Sequence, residues 1–415
     1  MTNEDLRSFR ALIGAQFFGA FNDNLFKQLI LFLAAGMLFS GEDKQGLAVV
    51  TFTLPFVLFS GMAGDLSERF SKNSVIFFMK VAEIAIMLLG AFALQLRHWY
   101  FMLTVLFIMG LQSAFFGPAK YGVIPELVAT RRLLRANGVI SMTTFLAILL
   151  GQALAGPLID RFGNRLWVSG AMCVGIAVIG TACAGRMSPL LPKKPRLPIS
   201  PSPFGNLFRT IRTLAQHRGL LRIVLLNSLF WFNGVVIQQS ILGLGEPGYL
   251  SIVEGEKSLL SYLLVTLAVS IIIGSVLGPR LSKYLSLGSM IIAGAVAMVG
   301  GQFCLVLIGL VVDREHGGLA FAQTLMAWIG FSGAFFVVPI QSYLQHAPQD
   351  GTKGQTFAVN NFMNFLFMLF GGIFYLLARL PRLDIGPTLT QAGAGLILVT
   401  YLWIIRDRVK RIAID

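Results

Sequence analysis

Residues 113–118 read SAFFGP, and residues 333–339 read GAFFVVP, with Ser113 and Gly333 in equivalent places. At the same offset Thr144-Phe145-Leu146 faces Asn364-Phe365-Leu366, and Gly151 faces Gly371. At a slightly shorter offset Phe21-Asn22 faces Phe232-Asn233, and Lys27-Gln28 faces Gln238-Gln239. Each match is short, but their order is the same in both halves. The chain therefore reads as two diverged copies of one unit.

What those copies are made of follows from composition. Of 415 residues, 55% are hydrophobic and only 13% are charged, and the mean hydropathy is +0.75. A soluble domain carries about 25% charged residues. A bilayer crossing takes about 20 apolar residues, so the chain suffices for about a dozen crossings joined by short loops. The apolar runs predict spans near 9–38, 46–64, 74–95, 99–120, 137–160 and 166–186. A second set is predicted near 221–244, 258–280, 286–311, 318–344, 356–379 and 387–406.

Between the sets lies the one long connector. Six of the 16 prolines fall at 189, 192, 195, 198, 201 and 203, a density that prevents a continuous helix. After them, Phe204, Leu207, Phe208, Ile211 and Leu214 share one helical face beside Arg209 and Arg212. This predicts a short amphipathic helix on the membrane surface. The expected organisation is a six-helix bundle over 1–186, a Pro-rich basic linker over 187–220, and a second six-helix bundle over 221–415.

Net charge is +14, from 33 Lys and Arg against 19 Asp and Glu. With both termini cytoplasmic, most of these cations fall on the inner side, as the positive-inside rule requires. The positive charge then reflects topology, and no nucleic-acid partner is expected. Cys173, Cys183 and Cys304 all sit in apolar runs and read as small buried hydrophobes rather than a disulfide framework. The N-terminal segment does not read as a cleavable signal peptide, because the apolar run that follows it is too long.

Enzyme classes find little support. None of the four histidines, His98, His217, His316 and His346, has an aspartate at acyltransferase spacing. There is no phosphate-binding G-x-x-x-x-G-K-S/T loop, and no Cys/His cluster that suggests a metal. No cofactor is expected.

An ionisable group inside a span is costly and marks a cavity, a partner or a function. The first span carries Gln16, Asp23 and Lys27 on one face, with Asp23 and Lys27 at pairing distance, and Asn22, Asn24 and Gln28 widen the patch. The third span carries Lys80 and Glu83, and Lys120 ends the fourth. The second half is polar without charge: Asn227, Trp231, Gly234 and Gln238 form a stripe on the seventh span, and Asn360, Asn361 and Asn364 lie on the eleventh. The candidate site is therefore Asp23, Asn24, Lys27, Lys80, Glu83, Lys120, Asn227, Gln238, Asn360, Asn361 and Asn364. Structural pairing of Lys80 with Glu83, and interhelical amide bonding, are the alternatives. Small residues from Gly151 to Pro157 suit close helix packing.

After the second span the chain reads GDLSERFSKN from Gly64 to Asn73, and the matching place in the second half reads GPRLSKY from Gly278 to Tyr284. This resembles the loop signature G-x-x-x-D-R-x-G-R-K of the major facilitator superfamily, with Glu68 for the aspartate and Ser71 for the second glycine. The resemblance implies an all-α polytopic membrane protein with twelve transmembrane helices in two six-helix pseudo-repeats. Gly64, Glu68, Arg69 and Lys283 would form its cytoplasmic gate.

More specific words are FGAFNDNLFK (Phe18–Lys27), FGPAKYGVIPEL (Phe116–Leu127), LLRANG (Leu133–Gly138), NSLFW (Asn227–Trp231) and FFVVP (Phe335–Pro339). Together they resemble the bacterial lysophospholipid transporters, and the membrane half of their fusions with acylglycerophosphoethanolamine acyltransferase, over nearly the whole chain. The resemblance implies a non-enzymatic carrier in the bacterial inner membrane. It would move lysophosphatidylethanolamine, and lysophosphatidylglycerol, to the cytoplasmic leaflet by alternating access. Asp23 and Asn24 match the family's D-N pair, and Lys120 its G-P-A-K lysine. Gln238 and Asn364 depart from it, standing where an arginine and an acid are expected. The partners implied are the lipid substrate, membrane lipids and a cytoplasmic acyltransferase, with the carrier a monomer. The alternative is a facilitator of other cargo: proton-coupled drug, siderophore, peptide or sugar transport, with Asp23 or Glu83 as the proton site.

Overall fold

The computed structural model describes residues 3–35, 43–128, 133–192, 218–253, 255–281, 285–308, 310, 317–346 and 353–410. Its described residues form twelve helices. In the first half these are α1 (Asn3–Ala34), α2 (Gln45–Arg69), α3 (Lys72–Leu96), α4 (Trp99–Leu127), α5 (Leu133–Phe162) and α6 (Leu166–Ala184). In the second they are α7 (Arg218–Gly243), α8 (Ser258–Leu281), α9 (Leu287–Leu305), α10 (Gly318–His346), α11 (Lys353–Ala378) and α12 (Pro387–Val409). Eleven of them are long and apolar enough to cross a membrane; α1, which carries the Asn22–Gln28 polar run, is not among them. The amphipathic segment at 204–216 and Lys283 lie outside the described residues.

Each predicted span has its helix, and the ends follow local chemistry. His98 caps α4, its Nδ1 accepting from the Phe101 amide at 3.2 Å, and Ser286 caps α9 through the Ser289 amide at 3.2 Å. Pro387 opens α12, where its missing N–H costs nothing. Prolines also sit inside helices, at 55, 118, 125, 157 and 339, as membrane helices tolerate.

Large apolar side chains face outward. Phe78, Val276, Trp403 and Ile404 are all at least 60% exposed. In water such a surface would drive association; in hydrocarbon it is the ordinary outer face. The chain is a multi-pass membrane protein.

It folds as two compact units, one comprising residues 1–30 and 51–206, the other 31–50 and 207–415. One piece of this division was not legible in the sequence: the segment Leu31–Val50, at the α1–α2 connection, belongs with the second unit. In the first unit α3 packs on α4 and α6; in the second α7 packs on α11 and α12, while α10 packs on α8 and α9. A cluster of Leu12, Ala15, Ile76, Ala119, Val123 and Ile140 knits α1, α3, α4 and α5. Phe232, Val236, Tyr375 and Ala394 do the same for α7, α11 and α12.

Candidate functional site

In the first unit the polar residues of α1 turn inward onto α3 and α4. Asn22 is fully buried, and its Nδ2 donates to Glu83 Oε1 at 2.9 Å. Glu83 in turn pairs with Lys80, both about 1% exposed. The Lys80 ammonium is wedged between two glycines: a Cβ at Gly19 or Gly180 would meet Nζ at 3.0 or 2.8 Å. Thr181 of α6 donates to the Lys80 carbonyl at 2.8 Å. The i, i+3 pairing foreseen for these two residues is thus made, deep in the α1–α3–α6 packing.

Asp23 is arranged differently. The pair with Lys27 allowed by spacing is not closed. Asp23 Oδ2 instead accepts from Ser113 of α4 at 2.5 Å, and its buried Oδ1 has no partner among the described residues. Lys27 donates to Asn24 Oδ1 at 3.2 Å and lies 5.3 Å from the Phe52 ring centre. The Asn24 amide donates to the Ala20 carbonyl at 2.8 Å. Gln16 reaches across to Thr144 of α5 at 2.9 Å.

Lys120 stands apart from this group. It is 9% exposed, and its ammonium lies 4.4 Å from the Tyr121 ring centre and 6.0 Å from that of Phe116. Aromatic faces stabilise a cation weakly compared with a carboxylate. Among the described residues no acid pairs with it. A desolvated ammonium held this way suits an anionic ligand group.

The loop signature is partly visible. Gly64 has nothing within 4 Å of a would-be Cβ, and Ser67 donates to its carbonyl at 2.9 Å. Arg69 lies over Phe70 at 5.7 Å. The Glu68 side chain and Lys283 lie outside the description. Sequence reasoning overlooked a neighbour: Lys72 pairs with Glu126 at 2.8 Å, tying α3 to the end of α4. Both residues stood in quoted motifs, but only the fold brings them together.

In the second unit the amides do converge. Asn227 Nδ2 donates to both Asn360 Oδ1 and Asn364 Oδ1 at 3.1 Å, and Ser228 donates to Asn364 Oδ1 at 3.0 Å. Asn361 is exposed, and Gln238 half-buried. On this stripe Asn227 Oδ1 and Trp231 Nε1 are buried and have no partner among the described residues.

A second cluster in this unit was not foreseen. Arg379, just after α11, bonds Asp43 at 3.4 Å, Glu246 at 2.5 Å and Asp384 at 2.5 Å. Tyr375 donates to the same Asp43 carboxylate at 2.8 Å. Burial pushes the Glu246 carboxyl up to about 7, and raises Asp43 as well. Partners separated by more than 300 residues leave no local signal in sequence.

With the geometry in place, the comparisons with known proteins agree on the fold. The chain belongs to the major facilitator superfamily, whose model matches residues 12–372. Solved structures similar to it include a bacterial homologue of the human lysosomal transporter Spinster, in an inward-facing and unoccupied conformation. That structure matches with a TM-score of 0.67 at 14% identity, over 99% of this chain and 97% of that one. A point mutant of the nucleoside transporter NupG matches with a TM-score of 0.66 at 12% identity, over 96% of this chain and 99% of that one.

Within the superfamily the chain falls in the lysophospholipid transporter family. It is 30% identical, over 98% of both chains, to the lysophospholipid transporter LplT of Escherichia coli O1:K1 / APEC. The same figures hold for LplT of Shigella boydii serotype 4 (strain Sb227).

Proposed function

We propose that this chain carries lysophospholipids, lysophosphatidylethanolamine and lysophosphatidylglycerol among them, across the bacterial inner membrane to the cytoplasmic leaflet. The observation that carries the reading is Lys120: a buried cation with aromatic neighbours and no carboxylate among the described residues, in the G-P-A-K word by which the sequence resembles that family. It binds the phosphate. Lys27, bonded to a neutral amide, offers the phosphate a further cation. Asp23, with one carboxylate oxygen free, accepts the ammonium of an ethanolamine head group. The acyl chain is satisfied by the apolar surface of the spans.

Transport by alternating access between two six-helix bundles, 1–186 and 221–415, needs no chemical step, and the chain acts as a carrier and not an enzyme. The carrier works as a monomer. Re-acylation by a cytoplasmic acyltransferase removes the delivered lipid and keeps the flow inward. Gly64, Glu68, Arg69 and Lys283 act as the cytoplasmic gate, beside the Lys72–Glu126 pair.

The test is uptake of labelled lysophosphatidylethanolamine into vesicles that hold the protein, next to an Asp23→Asn variant. Uptake by the wild type that is lost in the variant supports the reading. A folded wild type that moves no lysophospholipid overturns it.

The free oxygen of Asp23 also favours a second reading, a proton-coupled facilitator of other cargo. An imposed pH gradient distinguishes the two: it drives the second and leaves lysophospholipid uptake at its downhill rate.

A further inference from the structure

The two units differ in the charge they hold at membrane depth. From Ile223 to Gly243 in α7, and from Val359 to Ala378 in α11, no residue is charged. The first unit holds Asp23, Lys27, Lys80, Glu83 and Lys120 in its spans. What the second unit offers is a bonded amide cluster with two free ends.

Those free ends have a definite chemistry. Asn227 spends both of its N–H groups on Asn360 and Asn364, which leaves Oδ1 as a buried acceptor with no donor among the described residues. One turn further along α7, the indole N–H of Trp231 is a buried donor with no acceptor among the described residues. Residues 227, 231 and 234 share one helix face. At 234 stands a glycine with nothing within 4 Å of a would-be Cβ, so the face is open beside the two atoms. Buried polar atoms are satisfied in the great majority of cases, and the exceptions ask for an explanation.

A ligand group that satisfies one donor and one acceptor one turn apart on the same helix face is a hydroxyl, which does both. An ammonium satisfies only the acceptor, leaves the indole N–H unmet, and brings a charge beside two helix segments that carry none. We propose that Asn227 and Trp231, set by Asn360 and Asn364, form a neutral hydroxyl-binding subsite that selects lysophospholipids with a polyol head group, such as glycerol, over those with an amine. The inference deepens the lysophospholipid reading above and rests on it.

The measurement is initial uptake of lysophosphatidylglycerol and lysophosphatidylethanolamine of the same acyl chain, each alone, by protein in vesicles. The readout is the ratio of the two kcat/KM values. Wild type should favour the glycerol lipid. Trp231→Phe keeps the ring and loses the N–H; the ratio should fall roughly three- to tenfold, the span of one neutral hydrogen bond. Asn364→Asp adds an anion to the cluster at constant size, and should turn the preference toward the amine. Because both readouts are ratios, a general loss of folded protein cancels out.

A wild-type ratio near one, or a ratio that neither substitution moves, overturns the subsite while leaving lysophospholipid transport standing. Failure to move either lipid overturns transport itself, and the subsite with it.

Discussion

Gly151 of α5 presses so closely on the backbone of Phe21 that a Cβ there would lie 2.5 Å from the Phe21 carbonyl oxygen. In the second unit Gly371 of α11 stands the same way to Phe232, with 2.9 Å to its carbonyl oxygen. These are the pairs that the internal repeat aligns, Gly151 with Gly371 and Phe21 with Phe232. The repeated letters thus encode a repeated contact: the fifth helix of each half lies backbone to backbone on the first.

Such a contact makes glycine obligatory. Gly151→Leu should destabilise the protein by about 1–3 kcal/mol, as overpacking does, and Gly371→Leu by a similar or smaller amount. Gly175→Ala, with nothing within 4 Å, should be tolerated. Thermal unfolding in detergent checks all three.

The Lys80–Glu83 pair is buried on both sides, so removing one partner strands a charge. Glu83→Leu or Lys80→Met alone should cost about 3–5 kcal/mol. The double change Lys80→Met with Glu83→Leu should recover much of that loss. A double-mutant cycle on unfolding in detergent reads the coupling; simple additivity of the two single losses would contradict the account.

The Arg379 cluster carries a signed pH dependence. Glu246 is raised from its usual 4.5 to about 7, first by burial. The unfolded chain gives up this proton near 4.5, while the folded protein keeps it to about 7. Folding therefore binds a proton in that window, and stability falls as pH rises from about 4.5 to about 7, then levels. Glu246→Gln should flatten that slope. The groups around it, Arg379, Asp43, Asp384 and Tyr249, stay in place in the variant. The midpoint of thermal unfolding from about pH 4.5 to about pH 8, wild type against variant, checks the sign.

Sequence reached far into the fold and less far into the site. Hydropathy located eleven helices outright, because a span must be apolar along its length, and α1 through the apolar residues on either side of its polar run. The Lys80–Glu83 pair was legible because it is local, three residues apart on one helix. Asp23 shows where this ends: spacing allowed Lys27 as its partner, but Ser113, ninety residues away, takes one of its oxygens. Arg379 had no reading at all, since its acids come from three separate connections. The amides of α7 and α11 were found as stripes, while their mutual bonding, and the free N–H of Trp231, depend on how the two helices face each other.

Inward transfer of labelled lysophospholipid in vesicles holding only this protein tests Lys120 as the phosphate site. Lys120→Ala removes the cation; Lys120→Arg keeps a charge with different geometry. Expected are transfer by the wild type, a loss of at least about tenfold in Lys120→Ala, in line with a charged hydrogen bond, and partial recovery in Lys120→Arg. Transfer by Lys120→Ala at the wild-type rate would contradict it.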